Sequence, residues 1–227
     1  PHFIFRVARV TKINEFMTKI GTKRGMSLTT GFDVEFVFDS NKTKFPIEDY
    51  KDKKDVISML CDEAQLPNVQ SATGQISGRY LGEQTVQYPH SRMFTDVGLG
   101  FLCDGDMLPL KFFHHWYNFI YGEVEPLKSM DDYESTKAVN TRLRNRINRV
   151  AYPDHCTCKV YIMKSEPNAD AANGRIPTTF VLENAYPYSV DAVPLSYGTS
   201  QITRVNVSFY YSRHTVIHGD VRANYTS

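Results

Sequence analysis

Tryptophan occurs once and cysteine four times in the 227 residues of this chain, and each scarcity excludes something. Cys61, Cys103, Cys156 and Cys158 are too few and too scattered to staple a chain of this length. That fits a reducing compartment, with the thiols serving as small core hydrophobes. Long apolar runs are missing as well. Nothing approaches the ~18–20 residues of a membrane-crossing helix, and Pro1-His2-Phe3-Ile4-Phe5-Arg6 lacks the apolar stretch of a secretion signal. The expectation is a soluble protein that starts in the cytoplasm, with no membrane insertion. A charge excess is also absent: 26 basic and 25 acidic residues leave a net charge of +1. Any attraction to a polyanion must therefore be local. Chemical signatures are missing too. The sequence holds no Gly-x-Ser-x-Gly elbow, phosphate-binding loop, dinucleotide fingerprint or His-Glu-x-x-His, and no carboxylate pair is placed for acid–base work. No catalysis and no cofactor are expected.

What is present suffices for a core. The composition is 41% hydrophobic and 22% charged, and the length suits a single domain over residues 1–227. With 14 Tyr and 14 Phe, the aromatic content favours pleated, half-buried surfaces.

Val10, Ile13, Met17 and Ile20 form the stripe of a short helix over Thr11–Ile20 that Gly21 can end. Phe32, Val34, Phe36 and Phe38 alternate with Asp33, Glu35 and Asp39, a strand with one wet face. Val56–Cys61 reads as a short strand. Arg79–Tyr88 and Phe94–Cys103 read as a hairpin turning at Pro89-His90-Ser91. Asp104-Gly105-Asp106 offers an N-cap, and Phe112, Trp116, Phe119 and Ile120 make the stripe of the principal helix, closed by Gly122. Cys156–Met163, Thr179–Ala185 and Ile202–Tyr211 are further strands, with Pro187 among the breakers. Long polar loops fall at about 39–55 and 121–150; within the second, Val139–Val150 fits either a helix or a strand. The fold class is mainly β: an antiparallel β-sandwich or partial barrel with one principal helix and a short N-terminal one.

Two clusters invite chemistry. His114, His115, His155, Cys156 and Cys158 would suit a metal-dependent enzyme, but the cysteine spacing does not match structural zinc sites and no second pair exists. On a strand Cys156 and Cys158 would pack together, and the two adjacent helix histidines point about 100° apart and read as solvated. The basic run Arg142–Arg149 lacks interleaved aromatics and reads as a salt-bridging surface or a subunit contact.

The order of elements carries a resemblance. An N-terminal helix, an acidic-faced strand, a polar loop, Cys61-Asp62-Glu63-Ala64-Gln65-Leu66-Pro67, a hairpin with Arg92-Met93-Phe94-Thr95-Asp96 and the Trp116 helix follow one another. Later come Arg149-Val150-Ala151-Tyr152-Pro153-Asp154, Phe180-Val181-Leu182-Glu183-Asn184-Ala185-Tyr186-Pro187 and the closing strand Gln201–Tyr211. Over roughly Val10–Arg213 the chain resembles the tail tube proteins of contractile-tailed bacteriophages. The resemblance implies a structural subunit of the virion tail, assembled in the bacterial cytoplasm. Its partners would be copies of itself in stacked hexameric rings, the tail sheath, a tape-measure protein, and baseplate and tail terminator proteins, with double-stranded DNA in transit. A tail terminator, a baseplate tube-initiator or the tube of a related injection machine would share the fold. About eight strands close only a filled barrel, so a channel needs strands from several subunits, completing a β-barrel in a ring. The loop carrying Lys42, Lys44, Asp49, Tyr50 and Lys51 is the candidate ring-stacking contact. Asp33 and Glu35 are candidates to face the lumen, because free cations there would hold a passing duplex; the alternative is that they face outer solvent.

Overall fold

The computed structural model describes residues 13–22, 26–39, 45–47, 50, 53–78, 85–121, 157–166, 175–198 and 201–218. Three helices, α1 (Ile13–Thr22), α2 (Lys54–Met59) and α3 (Leu108–Ile120), accompany nine strands among these residues. The strands are β1 (Phe32–Val37), β2 (Cys61–Ala64), β3 (Gln70–Ile76), β4 (Val86–Met93), β5 (Val97–Leu102), β6 (Cys158–Glu166), β7 (Arg175–Val190), β8 (Arg204–Tyr210) and β9 (Arg213–Ile217). The mainly-β expectation holds. None of the described helices is long and apolar enough to cross a membrane.

Seven strands form one antiparallel sheet in the order β1-β6-β7-β8-β5-β2, with β9 added alongside β7. The pivot is β7, whose 16 residues serve both halves. Its first part pairs with β6 and β9, and the part beyond Asn184 pairs with β8. Asn184 has φ 54 at that junction, a left-handed conformation that asparagine tolerates better than most side chains. Its Nδ2 donates to Ser212 Oγ at 3.2 Å, and Ser212 donates in turn to the Glu183 carbonyl, which ties the bend to the β8–β9 turn. The sheet curls around this strand. Phe36 of β1 packs 5.9 Å from Phe209 of β8 and 6.2 Å from Phe101 of β5, although these strands are far apart in sheet order. The strands at the two ends of this order, β1 and β2, come within 8 Å of each other without forming a ladder, and α2 lies against both.

Alternation explains the interior. In β5 Val97, Leu99 and Phe101 point inward, and in β8 Val205, Val207 and Phe209 do the same, all at 0–1% exposure. The helix α3 adds Phe112, Phe113, Trp116 and Phe119. Trp116 is fully buried, within ring contact of Phe36, Phe38 and Phe209. Asp104 caps α3 as expected, its Oδ1 accepting from Leu108 N at 2.7 Å, although the residue at the cap position itself is Met107.

Several expectations need correction. Val56–Cys61 is not a strand: Lys54–Met59 is helical and β2 begins at Cys61. Only Ile57 of that helix is buried, while Val56 and Met59 are exposed, and a run of six is too short for its period to separate helix from strand. Pro187 does not break β7; it sits where the register with β8 slips by one residue, a bulge that needs no donor from it. The segment after Arg213 adds β9 to the sheet. The apolar stripe of α1 is largely exposed, with Ile13 79% and Met17 63% exposed and Ile20 half-buried.

Candidate assembly surface: a projecting hairpin and an open sheet face

The proposed turn at Pro89-His90-Ser91 is the largest correction, because β4 runs straight through it. A hairpin exists, but it is longer and centred elsewhere. The ladder starts at Cys61↔Phe101, passes Ala64↔Leu99, resumes at Gln70↔Met93 and ends at Ile76↔Val86. Register is kept throughout apart from two single-residue irregularities that compensate, and Gln65 N donates to the Gly98 carbonyl at 3.1 Å between the two stretches. So β2–β3 and β4–β5 are the arms of one hairpin. Its base belongs to the curled sheet; its outer part, β3–β4, forms a separate two-stranded ribbon. Pro89 lies at the ribbon's own bulge, opposite Thr73, where the missing N–H costs no ladder bond.

The ribbon buries almost nothing. Every residue of β4 is exposed, and Ile76 (48%), Val86 (47%), Tyr88 (42%) and Met93 (45%) show apolar surface to solvent. The Tyr88 ring lies across Gly74, where an added Cβ would sit 2.7 Å from Tyr88 Cζ. Seven paired residues span about 23 Å, and a two-stranded ribbon without an apolar partner is marginal in water.

At the hairpin's base the sheet turns its other face outward. On this face lie Gly98, half-buried, and Gly100, buried beneath Arg204, while Arg204, Asn206, Ser208 and Tyr210 alternate with the buried residues of β8. Tyr188 stacks on Tyr210 with centroids 3.9 Å apart, and Tyr188 Oη donates to Asp96 Oδ2 at 2.8 Å, which raises the Tyr188 pKa. Arg204 lies flat over Gly100: a Cβ there would meet its Nη2 at 2.5 Å and Asp62 Oδ1 at 3.1 Å. Glu63 accepts from Arg204 Nη2, and Asp62 Oδ1 lies 3.5 Å from Arg204 Nε. Burial, with Asp62 adding, pushes the neighbouring Cys61 thiol up to about 12.

Other expected site residues lie elsewhere. Asp33 is exposed, and Glu35 is half-buried with Lys54 Nζ 3.5 Å from its carboxylate. They share a sheet face with Tyr161, Met163 and Val181, a second apolar cluster at 1–6% exposure. Tyr50 is a core residue, 8% exposed, with its Oη 3.1 Å from His115 Nδ1. Lys42, Lys44, Asp49 and Lys51 fall outside the described residues. His115 is buried at 4%, not solvated, because it shares the stripe of Phe112 and Phe119; His114 is exposed. His155, Cys156 and Arg142–Arg149 lie outside the described residues, and Cys158 is buried in the core. Among the described residues no three His, Cys, Asp or Glu side chains converge on a metal position.

The model of one family, described as phage tail tube protein, matches residues 27–217. The chain belongs to this family. As a tail tube subunit it is a structural component of the virion tail. Among solved structures this tail tube protein is similar to a chain of the anti-feeding prophage baseplate, at 12% identity and TM-score 0.49, covering 86% of this chain and 97% of that one. A chain of the sheath–tube complex of the PVC extracellular contractile injection system gives 12% and 0.47, with 88% and 97% covered. The SPP1 tail tube gives 11% and 0.35, with 86% and 81% covered. No curated protein matches the tube subunit in sequence.

Proposed function

We propose that this subunit has no catalytic role and builds a hollow tube by closing into hexameric rings that stack inside a contractile sheath. The observation that supports this reading is the β3–β4 ribbon: residues that are regular, paired and unburied need a surface from outside the subunit. Identical copies supply one, and a ring also covers the open edges β1 and β2, which would otherwise template aggregation. Stacking is a head-to-tail contact that need not close, and so yields a filament. In this reading Lys42, Lys44, Asp49 and Lys51 touch the adjacent ring, while Tyr50 anchors their loop in the core. Sheath, baseplate, terminator and tape-measure proteins are the remaining partners, duplex DNA passes through, and assembly takes place in the host cytoplasm. Negative-stain imaging of the purified chain tests it. Long tubes are the expected outcome; isolated rings would assign the chain to a terminator or initiator role, and a monomer at high concentration with tail partners added would refute self-assembly.

A further inference from the structure

Two outward sheet faces are available to line a conduit, and they differ in kind. The face bearing Asp33 and Glu35 is already covered at its centre, since Tyr161, Met163 and Val181 are 1–6% exposed and Thr179 is 0% exposed. The outward positions of β2, β5 and β8 are two glycines, Leu102, serine, asparagine, two acids, tyrosine and Arg204, and the exposed hairpin continues directly from them. Along these positions and the second half of β7, Arg204 is the only lysine or arginine.

That cation is disarmed. It faces two carboxylates, Asp62 and Glu63, and rests on the bare backbone of Gly100. Exposed ion pairs of this kind contribute little stability, with Arg204 38% and Glu63 68% exposed. A role in folding therefore does not account for two acids committed to one base. In a ring, every copy would place its guanidinium at the same height. Uncovered, such a circle would displace counterions from a duplex and hold it in a salt-dependent way.

We infer that the outer face of β2, β5 and β8 is the wall of the conduit, and that Asp62 and Glu63 mask Arg204 so that the wall offers no cation to a passing polyanion. The inference rests on the tube reading above and moves the lumen assignment from Asp33 and Glu35 to this face.

The test uses tubes assembled from the full chain and a short fluorescent DNA duplex, read by co-sedimentation at about 50 and 200 mM salt. Unmodified tubes are expected to retain little duplex. Tubes carrying Asp62→Asn and Glu63→Gln should retain at least about tenfold more at the lower salt and release it at the higher. Adding Arg204→Gln to that pair should restore the unmodified level. Double-variant tubes without added retention, or retention indifferent to Arg204→Gln, would overturn the masking. Reconstruction of unmodified tubes by electron microscopy decides the wall assignment without any variant: Asp62, Glu63 and Arg204 on the bore support it, and the same residues on the outer surface or inside a subunit contact refute it. Failure of the unmodified chain to form tubes at all would instead remove the reading on which the inference stands.

Discussion

β4 and β5 are consecutive in the chain, belong to one arm of one hairpin and are separated by three residues, yet their fates are opposite. In β5 Val97, Leu99 and Phe101 are 0–1% exposed, locked between Trp116's helix and the curled sheet, whereas no residue of β4 is buried. Both stretches pair antiparallel with the opposite arm, β4 with β3 and β5 with β2, but β5 gains a second partner in β8 and β4 has none among the described residues. What differs is the source of burial. The β5 stretch is stabilised by its own subunit, and in the proposed tube the β4 stretch draws its stability from a neighbour.

The harshest way to break this comparison is at its stable end. Trp116→Ala should cost about 3–5 kcal/mol, because the cavity opens among Phe36, Phe38 and Phe209, which cannot collapse together. Denaturant unfolding of the isolated subunit would read it. At the other end, Ile76→Lys with Val86→Lys should change subunit stability by no more than about 0.5 kcal/mol. Tube yield by sedimentation should nevertheless fall at least about tenfold, since ~1.4 kcal/mol of lost contact is enough. Equal losses in both assays would erase the distinction. Between the extremes, Asn184→Ala forces a β-carbon residue without a local hydrogen bond into φ 54 and should cost about 1–2 kcal/mol, while Asn184→Gly should be tolerated.

The smallest effect concerns pH. Glu166 is held below the usual carboxylate range by Lys164 at 2.7 Å first, then by Ser27 Oγ, with the Leu28 amide helping. Its folded pKa lies below the unfolded one, so its stabilisation is present above about pH 4.3 and is lost as pH falls through the lowered value. Acid unfolding of Glu166→Gln should be less steep in that range than that of the unmodified chain. Tube yield at neutral pH should not change, because this contact lies away from the ribbon.

The stable end was legible in the amino acids. Phe32, Val34 and Phe36 alternate as β1 does, Val205, Val207 and Phe209 announce β8, and the Phe112–Phe119 stripe marks α3. Hydrophobic period reports burial within one chain, and these residues are buried there, Phe32 partly. Gln70–Ile76, reading Gln-Ser-Ala-Thr-Gly-Gln-Ile, has no such period to find, because none of its residues is buried and only Ala72 and Gly74 are half-buried. Pro89 reads as a turn and Pro187 as a breaker because proline lacks the donor a ladder needs, yet both are accommodated at bulges. The Arg204 cluster was invisible for another reason. Its acids and its base lie about 140 residues apart in sequence, and only the ladder from β2 through β5 to β8 brings them together.

The strand Arg175–Val190 belongs to both halves of the curled sheet, so peeling it from one removes the support of the other. A molecule wired in this way is expected to melt in a single step, with near- and far-ultraviolet signals moving together. Filaments of such units would yield by snapping at joints between copies, while each copy kept its shape until it gave way entirely.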